Sequence, residues 1–85
     1  MTAQQALETV RGYALANQYV ISGHCRTRMA ERNVSEDDIV HGLTSATVAT
    51  EQENGRWKLG STDVDGDELT LIVAIEGGVV VVTIF

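Results

Sequence analysis

No proline occurs in the 85 residues of this chain, and cysteine occurs once, at Cys25. The absence of proline argues against long linkers and disordered tracts. A lone cysteine excludes an internal disulfide and fits a reducing, cytoplasmic setting. No apolar run approaches the ~20 residues that span a bilayer, so no membrane partner is expected. The first residues lack a positive region followed by an apolar stretch, and no signal peptide is expected. His24, His41 and Cys25 do not fall at metal-ligand spacing, and no metal or cofactor is expected. Also missing are a glycine-rich phosphate loop, a nucleophile–histidine–acid signal and a dinucleotide fingerprint. Internal repeats and low-complexity segments are absent as well.

Eighty-five residues allow one domain with a modest core, burying somewhat over ~60% of the unfolded surface. Basic residues are scarce: six, against twelve acids, for a net charge of -6. Their distribution is uneven. Residues 1–33 hold four arginines and two glutamates, net +2, whereas residues 34–85 hold two bases and ten acids, net -8. An acidic chain is ordinarily a poor nucleic-acid ligand. Here half of the positive charge gathers in one short segment, Arg26 to Arg32, with only Arg11, Arg56 and Lys58 elsewhere.

Residue periodicity divides the chain into a helical half and a strand half. Thr2 followed by Gln5 has the form of a capping box, and Ala6, Leu7, Val10, Tyr13 and Ala14 give a helical stripe ending near Asn17. Tyr19-Val20-Ile21 is a short extended segment. Ser22 can cap a second helix running to Asn33, and Ser35-Glu36-Asp37-Asp38 opens a third with acids on the positive end of its dipole. From Ala46 the period becomes strand-like. Thr47–Gln52, Trp57–Val64, Glu68–Glu76 and Val79–Phe85 are separated by turns at Glu53-Asn54-Gly55-Arg56, Asp65-Gly66-Asp67 and Gly77-Gly78. The expected architecture is α+β: N-terminal helices on a mostly antiparallel, four-stranded meander, forming one domain over residues 1–85. The apolar last strand, placed at an edge, would invite strand addition by a partner or a second copy; the other placement is central, with the short Tyr19–Ile21 segment protecting one side.

The chemistry-bearing segment is His24-Cys25-Arg26-Thr27-Arg28-Met29-Ala30-Glu31-Arg32. On a helix, His24 and Arg28 stand one turn apart, and Arg28 and Arg32 likewise. Such an imidazole could move a proton near neutral pH while two guanidinium groups clamp a phosphate, the division of labour that RNA transesterification needs. His24, Arg28 and Arg32 are therefore the candidate catalytic set, although His24 could equally fix the turn after Ser22. Glu31 could neutralise Arg28 as a surface ion pair. Cys25 and Met29 share a stripe that should face the core, and sequence neighbours His24 and Cys25 point about 100° apart, too far for a dyad. Trp57, between Arg56 and Lys58, could stack on a base or fill the core. Asp63, Asp65, Asp67 and Glu68 lack the spacing of a calcium loop and read as a solvated turn.

Ile21-Ser22-Gly23-His24, the run Arg28–Ile39, Arg56-Trp57-Lys58, the segment Asp65–Leu69 and Val80–Phe85 together resemble the bacterial domain of unknown function 4258. The resemblance spans residues 19–85 and leaves residues 1–18 as an additional N-terminal helix. It implies a compact fold similar to the RelE-like and BrnT toxins, a role as the toxin of a toxin–antitoxin pair, and an antitoxin-like protein partner. The positions carried over are His24, Arg28, Glu31 and Arg32 on the helix and Thr83 on the last strand, with no established catalytic assignment attached. Glu31, Trp57, Lys58 and Thr83 complete the candidate substrate-binding set. The leading expectation is thus an RNA-binding, endoribonuclease-type module; the alternative is a noncatalytic domain that forms a homodimer or binds a partner through its terminal strand.

Overall fold

The computed structural model describes residues 1–85. Three helices and five strands follow in the order α1 (Ala3–Leu15), β1 (Tyr19–Ile21), α2 (Gly23–Arg32), α3 (Glu36–Ser45), β2 (Val48–Glu51), β3 (Trp57–Thr62), β4 (Glu68–Ile75) and β5 (Val79–Ile84), with a 3-10 turn at Glu53–Gly55. Each helix starts where a hydroxyl can accept from its free amides. Thr2 and Gln5 form the reciprocal box, as do Ser35 and Asp38, while Ser22 Oγ accepts from Cys25 N at 3.0 Å. Asn33 ends α2 in the left-handed conformation, which asparagine tolerates at a helix C-terminus.

The sheet order is β1-β5-β4-β3-β2. This corrects the expected four-stranded antiparallel meander: Tyr19–Ile21 is a fifth strand, paired parallel with Val79–Val81. Consequently β5 is not an edge. Its valine run gains main-chain partners on both sides, from β4 and from β1, and strand addition at β5 has no free ladder to join over Val79–Val81. The acidic turn is an Asx-type closure in which Asp63 Oδ1 accepts from the amides of Asp65 and Asp67.

All burial is on one side of the sheet. α1 and α3 pack on each other and on the face built by Trp57, Leu59, Leu69, Leu71, Val73, Val79 and Val81, and α2 lies along β5. Gly42 on α3 admits this close packing, because a Cβ there would stand 3.1 Å from Leu71 Cδ1. Alternation then sends Lys58, Gly60, Thr70, Ile72, Ala74 and Val80 to the opposite face, which carries no helix. In β5 the alternation slips. Ile72 pairs with Thr83 and Val73 with Val81, so Val82 is an inserted residue. The bulge turns Thr83 away from the core and brings Ile84 back into it.

Asp38 is 9% exposed, accepts from Ser35 N and Oγ, and accepts through Oδ1 from Val64 N, tying α3 to the turn between β3 and β4. The Ser35 and Val64 amides hold its carboxyl below the ordinary carboxylate pKa. A depressed folded pKa stabilises the native state above the ordinary value near ~3.9, and that contribution disappears as pH falls through the folded value. Asp38→Ala should therefore lower stability at pH 7 by about 1–2 kcal/mol in urea unfolding, with the gap from wild type shrinking below pH ~4. Ser22→Ala should cost a similar ~1–3 kcal/mol, since it removes a cap and orphans the Val82 carbonyl bound to that hydroxyl at 2.8 Å.

Candidate functional site

α2 is held with its two sides facing different surroundings. Cys25 and Met29 are buried in the core cluster. On one flank, Arg26 reaches Glu36 at the start of α3, 3.4 Å away, and Tyr19 donates to the same carboxylate at 2.9 Å. His24 and Arg28 are each two residues from Arg26, about 200° around the helix, and so share the opposite flank. On that opposite flank Arg28 reaches the main chain of β5 at Ile84. His24 and Arg28 thus stand one turn apart on one flank of α2, and Glu31 lies on the same side as an exposed acid.

Arg28 is the unusual member. It is half-buried, and its Nη2 stands 3.4 Å from the Ile84 carbonyl on β5, a long hydrogen bond. Its Nε is buried with no partner. The single ion pair of the molecule is Arg26–Glu36, so neither Glu31 nor any other acid neutralises Arg28. A partly desolvated guanidinium with an unsatisfied N–H and no counter-charge is costly unless an anion or solvent completes it. Arg32, one turn on, is exposed and unpaired; His24 is exposed, and its ring makes no hydrogen bond within the protein.

The sheet divides the remaining candidates. Lys58 pairs with Ile72, and Ile72 with Thr83, placing Lys58 and Thr83 on one row of the open face, two strand spacings or roughly 10 Å apart. Trp57 belongs to the other face. It is 7% exposed and packed in the core, which removes it from base stacking: adjacent residues on a strand point to opposite sides, and its core neighbours Leu59 and Val73 claim the ring. Beside Thr83 lies a cleft of about 460 Å³ lined by Gln52, Glu53, Asn54, Arg56, Ile72, Val82 and Thr83. Arg56 was legible in the sequence only as a neighbour of Trp57. Its place in this cleft depends on the tight turn in which Asn54 and Gly55 take positive φ.

The other titratable groups serve packing. Burial pushes the Cys25 thiol up, so it resists becoming the reactive thiolate. His41 contacts the Thr62 carbonyl through Nδ1 at 3.0 Å and Ser45 Oγ through Nε2 at 3.4 Å. No group of three or more His, Cys, Asp or Glu side chains is placed to hold a metal ion, and no helix is long and apolar enough to cross a membrane.

Two outcomes follow from this geometry. Cys25 should react with a disulfide reagent at the rate of unfolding, becoming fast only in denaturant. Sulfate, compared with chloride at equal ionic strength, should raise Tm more in wild type than in Arg28→Gln, because the variant removes the unpaired cation while sharing any general salt effect.

Comparison with known proteins returns no match among curated proteins or solved structures. Residues 21–85, from the end of β1 through β5, match a family described as Domain of unknown function (DUF4258). The seam of α2 against the sheet and the whole strand half thus lie inside the matched region, α1 lies outside it, and the chain belongs to the DUF4258 family.

Proposed function

We propose that this protein is a toxin-type module that engages the RNA backbone where the His24/Arg28 flank of α2 meets the open face of the sheet. The observation that carries the reading is Arg28: a half-buried guanidinium with an orphaned Nε and no acid partner. A phosphate oxygen would satisfy that N–H and the charge together, and a planar fork matches phosphate better than a point charge does. Arg32 supplies a second cation one turn away. Lys58, Arg56 and Thr83 give the strand a path across the sheet, and Glu31 limits how far phosphates can approach the exposed end of the flank.

In the cleavage step, His24 removes the proton of a ribose 2'-hydroxyl as that oxygen attacks the adjacent phosphorus. The bond from phosphorus to the 5' oxygen breaks, leaving a 2',3'-cyclic phosphate and a 5' hydroxyl whose proton comes from water. Arg28 and Arg32 neutralise the charge that builds on the non-bridging oxygens. The support for this step is the shared flank and the freedom of the His24 ring from any hydrogen bond within the protein.

A second reading draws on the open face, whose Ile72, Ala74, Val80 and Val82 include no aromatic ring for stacking bases. That composition favours contact with protein and keeps a noncatalytic interaction role in view.

Expression of the intact chain should arrest bacterial growth, and the purified protein should convert a labelled RNA to products ending in cyclic phosphate. His24→Ala should slow cleavage by about 10²-fold or more, and Arg28→Lys by more than about tenfold, with circular dichroism unchanged. Normal growth with abundant folded protein, together with intact RNA, would count decisively against this reading.

A further inference from the structure

Away from α2, one cluster joins a hydroxyl to a base. Besides tying α3 to the end of β3, His41 sets up a directed chain of hydrogen bonds. Its Nδ1 lies 3.0 Å from the Thr62 carbonyl, an acceptor only, so Nδ1 carries the proton. In the neutral ring Nε2 is then the acceptor, and Ser45 Oγ, one helical turn on at 3.4 Å, is its donor. The contact is long, and a reacting group that draws the hydroxyl in would tighten it. Hydroxyl, imidazole and orienting carbonyl stand in the order that activates a serine.

Strand register adds a main-chain donor. Asp63 N donates to Asp67 O, so Asp63 faces its hairpin partner and Thr62 faces the other way. The Thr62 carbonyl goes to His41, and its amide points to the same side. β2 begins at Val48, opposite Gly60, and does not extend to Thr62. The Thr62 N–H therefore opens toward a cleft of about 410 Å³ that Ser45, Val48, Gly60, Thr62 and Glu68 help to line. Val48, 56% exposed, gives this cleft an apolar wall, and Glu68 sets a carboxylate at its border. Asp38, three residues before His41, attracts the ring and favours its protonated form once a proton arrives.

We propose that Ser45 is a nucleophile for acyl transfer, with His41 as its general base, the Thr62 N–H as donor to the oxyanion, and an uncharged or cationic activated ester as acyl donor. Ser45 Oγ attacks the ester carbonyl carbon while His41 Nε2 takes the hydroxyl proton. The bond from that carbon to the leaving oxygen breaks, and the imidazolium returns the proton to that oxygen. Water then repeats the sequence on the acyl-serine and releases the acid. Glu68 repels anionic donors, and the Val48 wall suits a short acyl chain. The inference is independent of the RNA reading and shares no residue with it.

The test treats the full folded chain with 4-nitrophenyl acetate and follows acetylation of Ser45 by peptide mass mapping. Ser45 should gain one acetyl group, and Ser45→Ala should lose that modification while Lys58 and the N-terminal amine still react. His41→Asn keeps an N–H for the Thr62 carbonyl but has no basic nitrogen, so it should slow acetylation of Ser45 about 10²-fold with circular dichroism unchanged. An acetate ester of a trimethylammonium phenol should acylate Ser45 several-fold faster than 4-acetoxybenzoate, and Glu68→Gln, an exposed substitution, should narrow that gap. A folded chain whose Ser45 stays unmodified overturns the proposal. So does His41→Asn reacting at the wild-type rate, which would leave His41 a packing residue. An ester preference that Glu68→Gln does not alter overturns the assigned class of acyl donor.

Discussion

The hydroxyl of Ser22 holds the two halves of this fold together. It accepts from the Cys25 amide to start α2 and donates to the Val82 carbonyl at the β5 bulge. One residue earlier in the same strand, Val81 O accepts from the Ser22 amide, and two residues later Ile84 O faces Arg28 Nη2. Of these carbonyls on β5, Ser22 thus takes two, through its amide and its hydroxyl, and a guanidinium faces the third. A buried strand must satisfy each of these groups, and β1 is too short to reach beyond Val81. The orientation of α2, and with it the position of every candidate catalytic group, follows from how that shortage is met.

The arrangement gives Arg28 two allegiances. Its weak contact with Ile84 O belongs to the fold, while its unpartnered Nε and unneutralised charge leave it open to an anion. Arg26, two residues away, shows the opposite solution, tied to Glu36 beside Tyr19 at the mouth of the helical layer. The same side-chain type is settled on one flank and unsettled on the other. Formal charge alone therefore does not describe this molecule, since of Arg26 and Arg28, half a turn apart on α2, one is paired with an acid and the other is not.

Much of the architecture could be read from local patterns. The capping boxes at Thr2 and Ser35, the Ser22 cap, the Asn33 terminus and the Asp-Gly turn depend on neighbours within a few residues, so their chemistry announces itself. The role of Tyr19-Val20-Ile21 was less legible. It reads as a short extended segment, but its parallel partner lies some sixty positions away, so nothing local shows that it joins the sheet beside β5. Trp57 was legible in part: alternation with the charged Lys58 favours a core tryptophan over a base-stacking one, and the structure buries it.

By itself the sequence determined the element types and their order, the burial of Cys25, and the placing of His24 and Arg28 on one flank, since helix and strand periods are properties of the nearest few residues. The tertiary structure alone decided between an edge and an interior β5, turned Thr83 outward and left Arg28 without an acid. Each of these depends on register, and register is set where distant strands compete for the same apolar surface and the same main-chain partners. The inserted Val82 shows the principle most plainly: a single unpaired residue reverses the facing of Thr83 and Ile84, and nothing in seven consecutive apolar and threonine residues marks where it must fall.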